Sequence, residues 1–137
     1  MNNPIFRWSI GPAKPEGFKI LKMSVSCVKF LYPECDYIIC FNPLSDQQEQ
    51  FVRNIGVPCS NANETTSLLP HQDGYHVYRT LFPPRINLNT HEIFLDNDIV
   101  IHRRLEEIDL FVQHDSCLLC QGYGYYGNFK KMIPDGM

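Results

Sequence analysis

The sequence predicts an α/β fold in which a mostly parallel sheet carries helices on both faces. Strand patterns and helix patterns alternate through the first hundred residues, which is typical of parallel strands joined by helical crossovers. The strands are short apolar runs, and a length of 137 residues suits a single domain, which we assign to 1–137. An ordinary composition, with 44% hydrophobic and 20% charged residues, fits a globular domain of this class.

The first three predicted elements are a strand, a helix and a second strand. Residues 7–10 form a short strand that ends at Gly11–Pro12. From Phe18 to Tyr32 the apolar residues recur at spacings of three and four, which predicts an amphipathic helix that Pro33 stops. Residues 36–41 are apolar and rich in residues that favour strands, which predicts a buried strand.

A second helix has boundary signals at both ends. Ser45 is a favourable N-cap, and Gln48, three residues further on, completes a capping box. Gly56 ends this helix, and residues 57–60 form a brief third strand. The remaining predicted elements are a polar loop over 61–70, a helix within 71–82, a buried strand over 92–95, a short strand over 99–101, a helix over 105–112 and a last strand over 116–121.

Charge and hydropathy exclude several classes of protein. The net charge is −3 and no block of like charges occurs, so we expect no nucleic-acid partner. The longest apolar runs are far too short for a membrane span, and the first residues lack the pattern of a secretory signal. The six cysteines lie mostly in apolar segments and form a single CxxC pair, so we expect reduced thiols in a cytoplasmic protein rather than structural zinc.

The candidate site follows from the residues at the predicted strand ends. In open parallel sheets, ligands bind at the carboxyl ends of the strands. Three of these ends carry Ile10–Gly11–Pro12, Asn42 and Asp96–Asn97–Asp98. Two carboxylates separated by one residue repel each other, and a divalent cation compensates this repulsion. Oxygen ligands in small number suit Mg²⁺ or Mn²⁺.

A plain polar turn is the alternative interpretation of Asp96–Asn97–Asp98, because Asn and Asp are favoured turn residues. The segments on both sides of it, 93–95 and 99–101, are apolar and are expected to be core strand. A turn between two core segments favours the metal site. We therefore predict that Asp96 and Asp98 bind the metal ion.

The segment around these carboxylates resembles part of a known enzyme family. Residues 91–101, HEIFLDNDIVI, are similar to the DxD segment of GT-A-fold glycosyltransferases, and most similar to the form in family 8 and its neighbours. The YRTLFPP run at 78–84 resembles the helix and proline-containing loop that precede this segment in the family, and 104–108 resembles the short helix that follows it. The likeness extends over residues 5–125 and is closest over 75–110.

The resemblance implies a Rossmann-like, three-layer α/β/α domain that transfers sugar from a nucleotide-sugar donor, with a UDP-sugar as the expected donor and Mn²⁺ or Mg²⁺ as cofactor. Asp98 would ligate the metal ion, and Asp96 would reach both the metal ion and the ribose hydroxyls. Arg79 would lie near the diphosphate or the donor sugar, where a guanidinium suits phosphate oxygens. The predicted catalytic residues are therefore Asp96, Asp98 and Arg79.

The resemblance also implies a nucleotide site and an acceptor. Ile10–Gly11–Pro12 would follow the nucleotide backbone, Asn42 would lie beside the base, and Asn97 would join Asp96 in the nucleotide site. The acceptor would be a saccharide or a protein- or lipid-linked group. The likeness to family 8 further implies that the anomeric configuration is retained.

The family's domain is considerably longer than this chain, and its second half supplies the acceptor pocket and a further metal ligand. We therefore expect the chain to cover the nucleotide-binding half alone, truncated at the C-terminus, with an exposed hydrophobic face that favours self-association. One alternative is a catalytically incomplete module that binds a nucleotide or a partner. Another is a phosphatase of the haloacid dehalogenase type, in which Gly-Thr usually follows the Asp-x-Asp motif, whereas Ile99–Val100 follows it here.

Overall fold

The structure is a computed structural model, and it describes residues 3–61 and 86–114. Within these ranges the chain forms four strands, all parallel, and three helices, so the predicted α/β class with a parallel sheet is confirmed. In chain order the elements are β1 (Ile5–Ile10), α1 (Pro15–Leu31), β2 (Asp36–Phe41), α2 (Asp46–Arg53), β3 (Cys59–Asn61), β4 (Glu92–Asp96) and α3 (Glu106–Gln113). Arg79, the predicted helix within 71–82 and the predicted strand over 116–121 lie outside the described residues.

The sheet has the strand order β3-β2-β1-β4, so β1 is paired on both sides. Ile5 lies opposite Asp36 in β2 and opposite Glu92 in β4, and the register continues residue by residue to the ends of the strands. Because all four strands run in the same direction, their carboxyl ends meet at one edge of the sheet. That edge is the place where the candidate site was predicted.

Helix α1 packs on one face of β1. Two residues of this face, Phe6 and Trp8, are completely buried, and the Phe6 ring lies 4.9 Å from the ring of Tyr32, which caps the C-terminus of α1. Removing side chains of this size from water stabilises the fold by roughly 1.5–3 kcal/mol each. The helix begins at Pro15, three residues before the predicted start at Phe18, because proline is well tolerated in the first helical turn.

Helix α2 has the predicted capping box and lies on the same face as α1. Ser45 Oγ accepts from the main-chain N–H of Gln48, and the Gln48 side chain accepts from the Ser45 N–H. Its Phe51 ring lies 6.0 Å from Phe18 of α1. After the helix, Gly56 has φ of 87°, a conformation that favours glycine, and the chain turns there towards β3.

Two predictions about β4 and the segment after it were wrong in part. The strand was expected to be buried, but its residues are half-buried or exposed, and the Phe94 side chain is 43% exposed. Residues 99–101 form no strand, because a tight turn interrupts the chain directly after β4. Only Ile101 of that segment is buried, so the core does not continue on both sides of Asp96–Asn97–Asp98 as expected.

The chain divides into two compact units, Met1–Leu105 and Glu106–Met137. Helix α3 belongs to the second unit and matches the helix predicted over 105–112 to within one residue at each end. The assignment of 1–137 to a single domain stays a prediction. In the part of the chain that the structure describes, no helix combines the length and the apolar character needed to cross a membrane.

Candidate functional site

The carboxyl edge of the sheet brings together predicted site residues from three strands. The main-chain N–H of Asn42, just after β2, donates to the carbonyl of Ile10 at 3.0 Å. On the other side of β1, Asp96 lies opposite Ser9 at the end of β4. Gly11 is buried directly after β1, and the following Pro12 is exposed. Residues that are more than fifty positions apart in the sequence therefore share one edge.

The Asp96–Asn97–Asp98 segment forms a tight turn. The main-chain N–H of Ile99 donates to the carbonyl of Asp96 at 3.1 Å, which is the hydrogen bond of a β-turn. Asp96 and Asp98 are exposed, and Asn97 is half-buried. Both carboxylates are therefore open to solvent, and to any ion that approaches this edge.

Neither of these carboxylates forms an ion pair with a residue in 3–61 or 86–114. In these two ranges, three arginines form ion pairs with glutamates and not with Asp96 or Asp98. Arg7 pairs with Glu92, Arg53 with Glu49 and Arg104 with Glu34. The negative charge at the turn is thus not neutralised by a described basic side chain.

The turn is connected to the core by two successive hydrogen bonds, of which the first is buried and the second is partly buried. The indole N–H of Trp8 donates to Ser24 Oγ at 2.9 Å, and the Ser24 hydroxyl donates to the main-chain carbonyl of Ile99. Trp8 lies in β1, Ser24 in α1, and Ile99 closes the turn. The chain therefore links the two central elements of the fold to the segment that carries Asp96 and Asp98.

The opposite end of β4 holds a buried ion pair. Arg7 Nη1 lies 3.1 Å from Glu92 Oε2, and the two side chains are 1% and 2% exposed. The other oxygen of Glu92 accepts from the main-chain N–H groups of Ile86 and Asn87. The Arg7 guanidinium also lies 5.0 Å from the centre of the Phe94 ring. This carboxylate is fully engaged by groups of the protein.

Cys40 lies next to this ion pair, on the strand that neighbours Arg7. Burial raises the pKa of the Cys40 thiol above its ordinary value of 9.0, and the nearby Arg7 only partly offsets this effect. Burial also raises the pKa of the Cys59 thiol. Both thiols are therefore protonated near neutral pH, and neither Cys40 nor Cys59 forms a disulfide.

The loop between β1 and α1 is held at the same edge as the turn. The Gln48 side-chain amide of α2 donates to the main-chain carbonyl of Ala13 at 3.3 Å. Helix α1 then begins with Lys14 as its N-cap, and the Lys14 side chain makes no capping hydrogen bond. The N-terminal end of a long helix carries partial positive charge and favours anions. A negatively charged group near Gly11 and Pro12 would therefore be favoured.

The two exposed carboxylates offer the donor set of a lightly coordinated cation. Among the residues in 3–61 and 86–114, no three His, Cys, Asp or Glu side chains form a group that could hold a metal ion. Mg²⁺ and the chemically similar Mn²⁺ are commonly held by one or two carboxylates, with waters and substrate phosphates as the other ligands. Asp96 and Asp98 fit that manner of binding.

Sequence reasoning missed Arg7, Glu92, Trp8 and Ser24. The available signal for Arg7 was a charged residue inside an otherwise apolar strand, where an isolated charge is costly. For Ser24 the signal was a hydroxyl on the apolar face of a helix.

No protein-family model matches the chain, and comparisons with curated proteins and with solved structures give no match either. The functional proposal therefore rests on the residues of the site.

Proposed function

We propose that this chain is the nucleotide-sugar-binding part of a metal-dependent glycosyltransferase that uses a UDP-sugar as donor. One observation carries the proposal. Asp96 and Asp98 are exposed on a tight turn at the carboxyl edge of a parallel sheet, without an ion pair to any residue in 3–61 or 86–114. In the proposal the sheet belongs to a Rossmann-like, three-layer α/β/α domain of the GT-A type in a cytoplasmic protein.

The need for compensation supports a cation site over a plain turn. A β-turn tolerates both Asn and Asp, so turn geometry alone does not require an acidic residue on each side of Asn97. Two acidic residues add mutual repulsion, which asparagine or serine would avoid. A bound divalent ion removes the repulsion and uses both carboxylates.

Each predicted site residue has a role in this proposal. Asp96 and Asp98 hold Mn²⁺ or Mg²⁺, and a bound ion would offset the negative charge that develops on the departing diphosphate. Asp96 also reaches the ribose, and Asn97 contributes to the same site. Arg79, which lies outside the described residues, would contact the diphosphate or the donor sugar.

The β1 and β2 ends complete the proposed nucleotide site. The backbone of Gly11 and Pro12, with Ile10 before them, would follow the nucleotide, and the nearby N-terminus of α1 would favour its phosphates. Asn42 would lie beside the base, and its main-chain hydrogen bond to Ile10 keeps the ends of β1 and β2 side by side. The acceptor would be a saccharide or a protein- or lipid-linked group.

A thermal-shift panel of UDP, GDP and CDP, each with and without Mn²⁺, tests the proposal. UDP with Mn²⁺ is expected to stabilise the protein by about 2.7 kcal/mol when the concentration of free UDP–Mn²⁺ is about 100 times its Kd for the protein. UDP alone should have little effect. Asp98→Asn should remove the stabilisation by UDP with Mn²⁺, whereas the matched variant Asp36→Asn, at the opposite edge of the sheet, should keep it. Full stabilisation in Asp98→Asn would contradict the proposed site.

Activity assays then separate a transferase from the other functions considered. Slow Mn²⁺-dependent hydrolysis of a UDP-sugar is expected if the chain is the donor half of a transferase. Binding without hydrolysis indicates a nucleotide-binding module instead. Turnover of p-nitrophenyl phosphate that is lost in Asp96→Asn indicates a phosphatase in which Asp96 is the nucleophile.

A further inference from the structure

We infer that Ser24 is a positioning residue for the cation site, because it fixes the turn that carries Asp96 and Asp98. This inference rests on the proposed function. Ser24 lies in the middle of α1, is completely buried and contacts no ligand site directly. Its effect on the carboxylates would be transmitted through the main chain of Ile99.

The orientation of the Ser24 hydroxyl is determined by its two partners. The hydroxyl accepts from the indole N–H of Trp8 and donates to the main-chain carbonyl of Ile99. A serine hydroxyl has a single proton, so its donor is committed to Ile99. Trp8 is itself completely buried in the central strand, so the hydrogen-bond chain begins at a rigid point of the core.

Ile99 is consequently held at both of its main-chain polar groups. Its N–H donates to the carbonyl of Asp96, and its carbonyl accepts from Ser24. Asp98 is the residue directly before it, so the peptide groups that follow Asp98 cannot rotate freely. A carboxylate on a fixed backbone loses less conformational freedom when it binds an ion, which favours binding.

Packing alone does not require a hydroxyl at position 24. Of the five buried residues of α1, the other four are apolar, namely Phe18, Leu21, Val25 and Val28. An alanine would fill the same apolar face, but it would leave the buried indole N–H of Trp8 and the carbonyl of Ile99 without this partner. The specific contribution of Ser24 is the connection between the core and the turn.

Titration with Mn²⁺ alone, followed by the electron paramagnetic resonance signal of the free ion, tests this role. Ser24→Ala is expected to raise the Kd for Mn²⁺ by about tenfold to a hundredfold, the usual effect of losing a group that orients a metal ligand. Trp8→Phe removes the indole donor but keeps the bond from Ser24 to Ile99. It should therefore raise the Kd for Mn²⁺ by less than Ser24→Ala does, while lowering the stability of the fold.

Ser26→Ala is the matched control on the same helix. The Ser26 side chain is exposed, and among the described residues its hydroxyl bonds within α1, to the carbonyl of Lys22 at 2.8 Å, so its removal should change neither affinity nor fold. Far-UV circular dichroism establishes that each variant is folded. If Ser24→Ala is unfolded, Ser24→Cys replaces it, because a thiol is similar in size but a weak donor, and a weaker affinity for Mn²⁺ is again expected.

Two results would overturn this inference alone. In the first, a folded Ser24 variant binds Mn²⁺ as tightly as the wild type, while Asp98→Asn does not bind. In the second, Trp8→Phe weakens Mn²⁺ binding as much as Ser24→Ala does, which would indicate a general effect of core damage. If the wild type does not bind Mn²⁺, or Asp98→Asn binds it normally, the proposed function fails and this inference fails with it.

Discussion

Strand β4 carries an acidic residue at each end, and the two have opposite surroundings. At its start, the Glu92 side chain is 2% exposed, pairs with Arg7 and accepts from two main-chain N–H groups. At its end, Asp96 is exposed, and neither Asp96 nor Asp98 forms an ion pair with a residue in 3–61 or 86–114. Four positions along one strand thus separate a carboxylate that protein groups neutralise from one that is exposed to solvent.

This difference distinguishes a carboxylate that stabilises the fold from a carboxylate that is accessible to a ligand. A buried carboxylate must be neutralised by the protein itself, and Glu92 meets that requirement through Arg7. The exposed carboxylates at the carboxyl edge of the sheet are solvated, and they are accessible to a cation from solution. Substitutions at the buried ion pair, at the neighbouring Cys40 and at the exposed pair of Glu34 and Arg104 separate the contribution of buried charges from that of exposed ones.

The largest expected effect is that of Glu92→Ala. The substitution leaves the buried Arg7 guanidinium without its carboxylate, and we expect the unfolding free energy to fall by about 3–5 kcal/mol. Urea denaturation measures the loss. The double variant Arg7→Met with Glu92→Leu should be more stable than Glu92→Ala, because no unpaired charge stays buried. A double variant that is less stable than Glu92→Ala would show that the ion pair is not the main interaction at this end.

A smaller effect is expected from the Cys40 thiol beside the same ion pair. Its folded-state pKa is raised above the ordinary 9.0 by burial, so its contribution to stability is fully present below pH 9.0 and is lost as the pH rises through the folded-state pKa. The unfolding free energy should therefore decline at alkaline pH. The decline should be shallower in Cys40→Ala, measured by urea denaturation at a series of pH values. Equal slopes in the two proteins would show that Cys40 is not buried as described.

The smallest effect is expected at the exposed pair of Glu34 and Arg104. Both side chains are more than 40% exposed, and surface ion pairs of this kind contribute about 0–1 kcal/mol. Glu34→Gln should consequently lower the unfolding free energy by less than about 1 kcal/mol, and less still in high salt. A loss as large as that of Glu92→Ala would remove the distinction between buried and exposed pairs on which the comparison depends.

Local signals predicted much of the fold. The capping box of Ser45 and Gln48 uses residues three positions apart, and the periodicity of α1 depends on spacings within one helix. Strand β2 was predicted with its observed bounds, because an apolar run between Pro33 and Asn42 has clear ends. Each of these features depends on residues that are close in the sequence, which is why it could be predicted without the structure.

The features that were missed depend on distant partners. Arg7 and Glu92 are 85 residues apart, and no local pattern indicates that they would pair. The strand predicted at 99–101 failed because, within 3–61 and 86–114, no neighbouring strand pairs with this run, and the Ile99 N–H instead closes the turn by bonding to the Asp96 carbonyl. The carboxylate pair itself was found, because Asp96 and Asp98 are adjacent to a recognisable strand end.

The most direct test of the proposed cation site at Asp96 and Asp98 is to locate bound Mn²⁺ by nuclear magnetic resonance. In the ¹H–¹⁵N spectrum, substoichiometric Mn²⁺ should broaden the amide signals of Asp96, Asn97 and Asp98 first, and those of Gly11 and Asn42 next. The same broadening should be absent when Asp96→Asn and Asp98→Asn are combined. Broadening that is centred on another acidic segment, or that persists in the double variant, would contradict the assignment of this turn as a cation site.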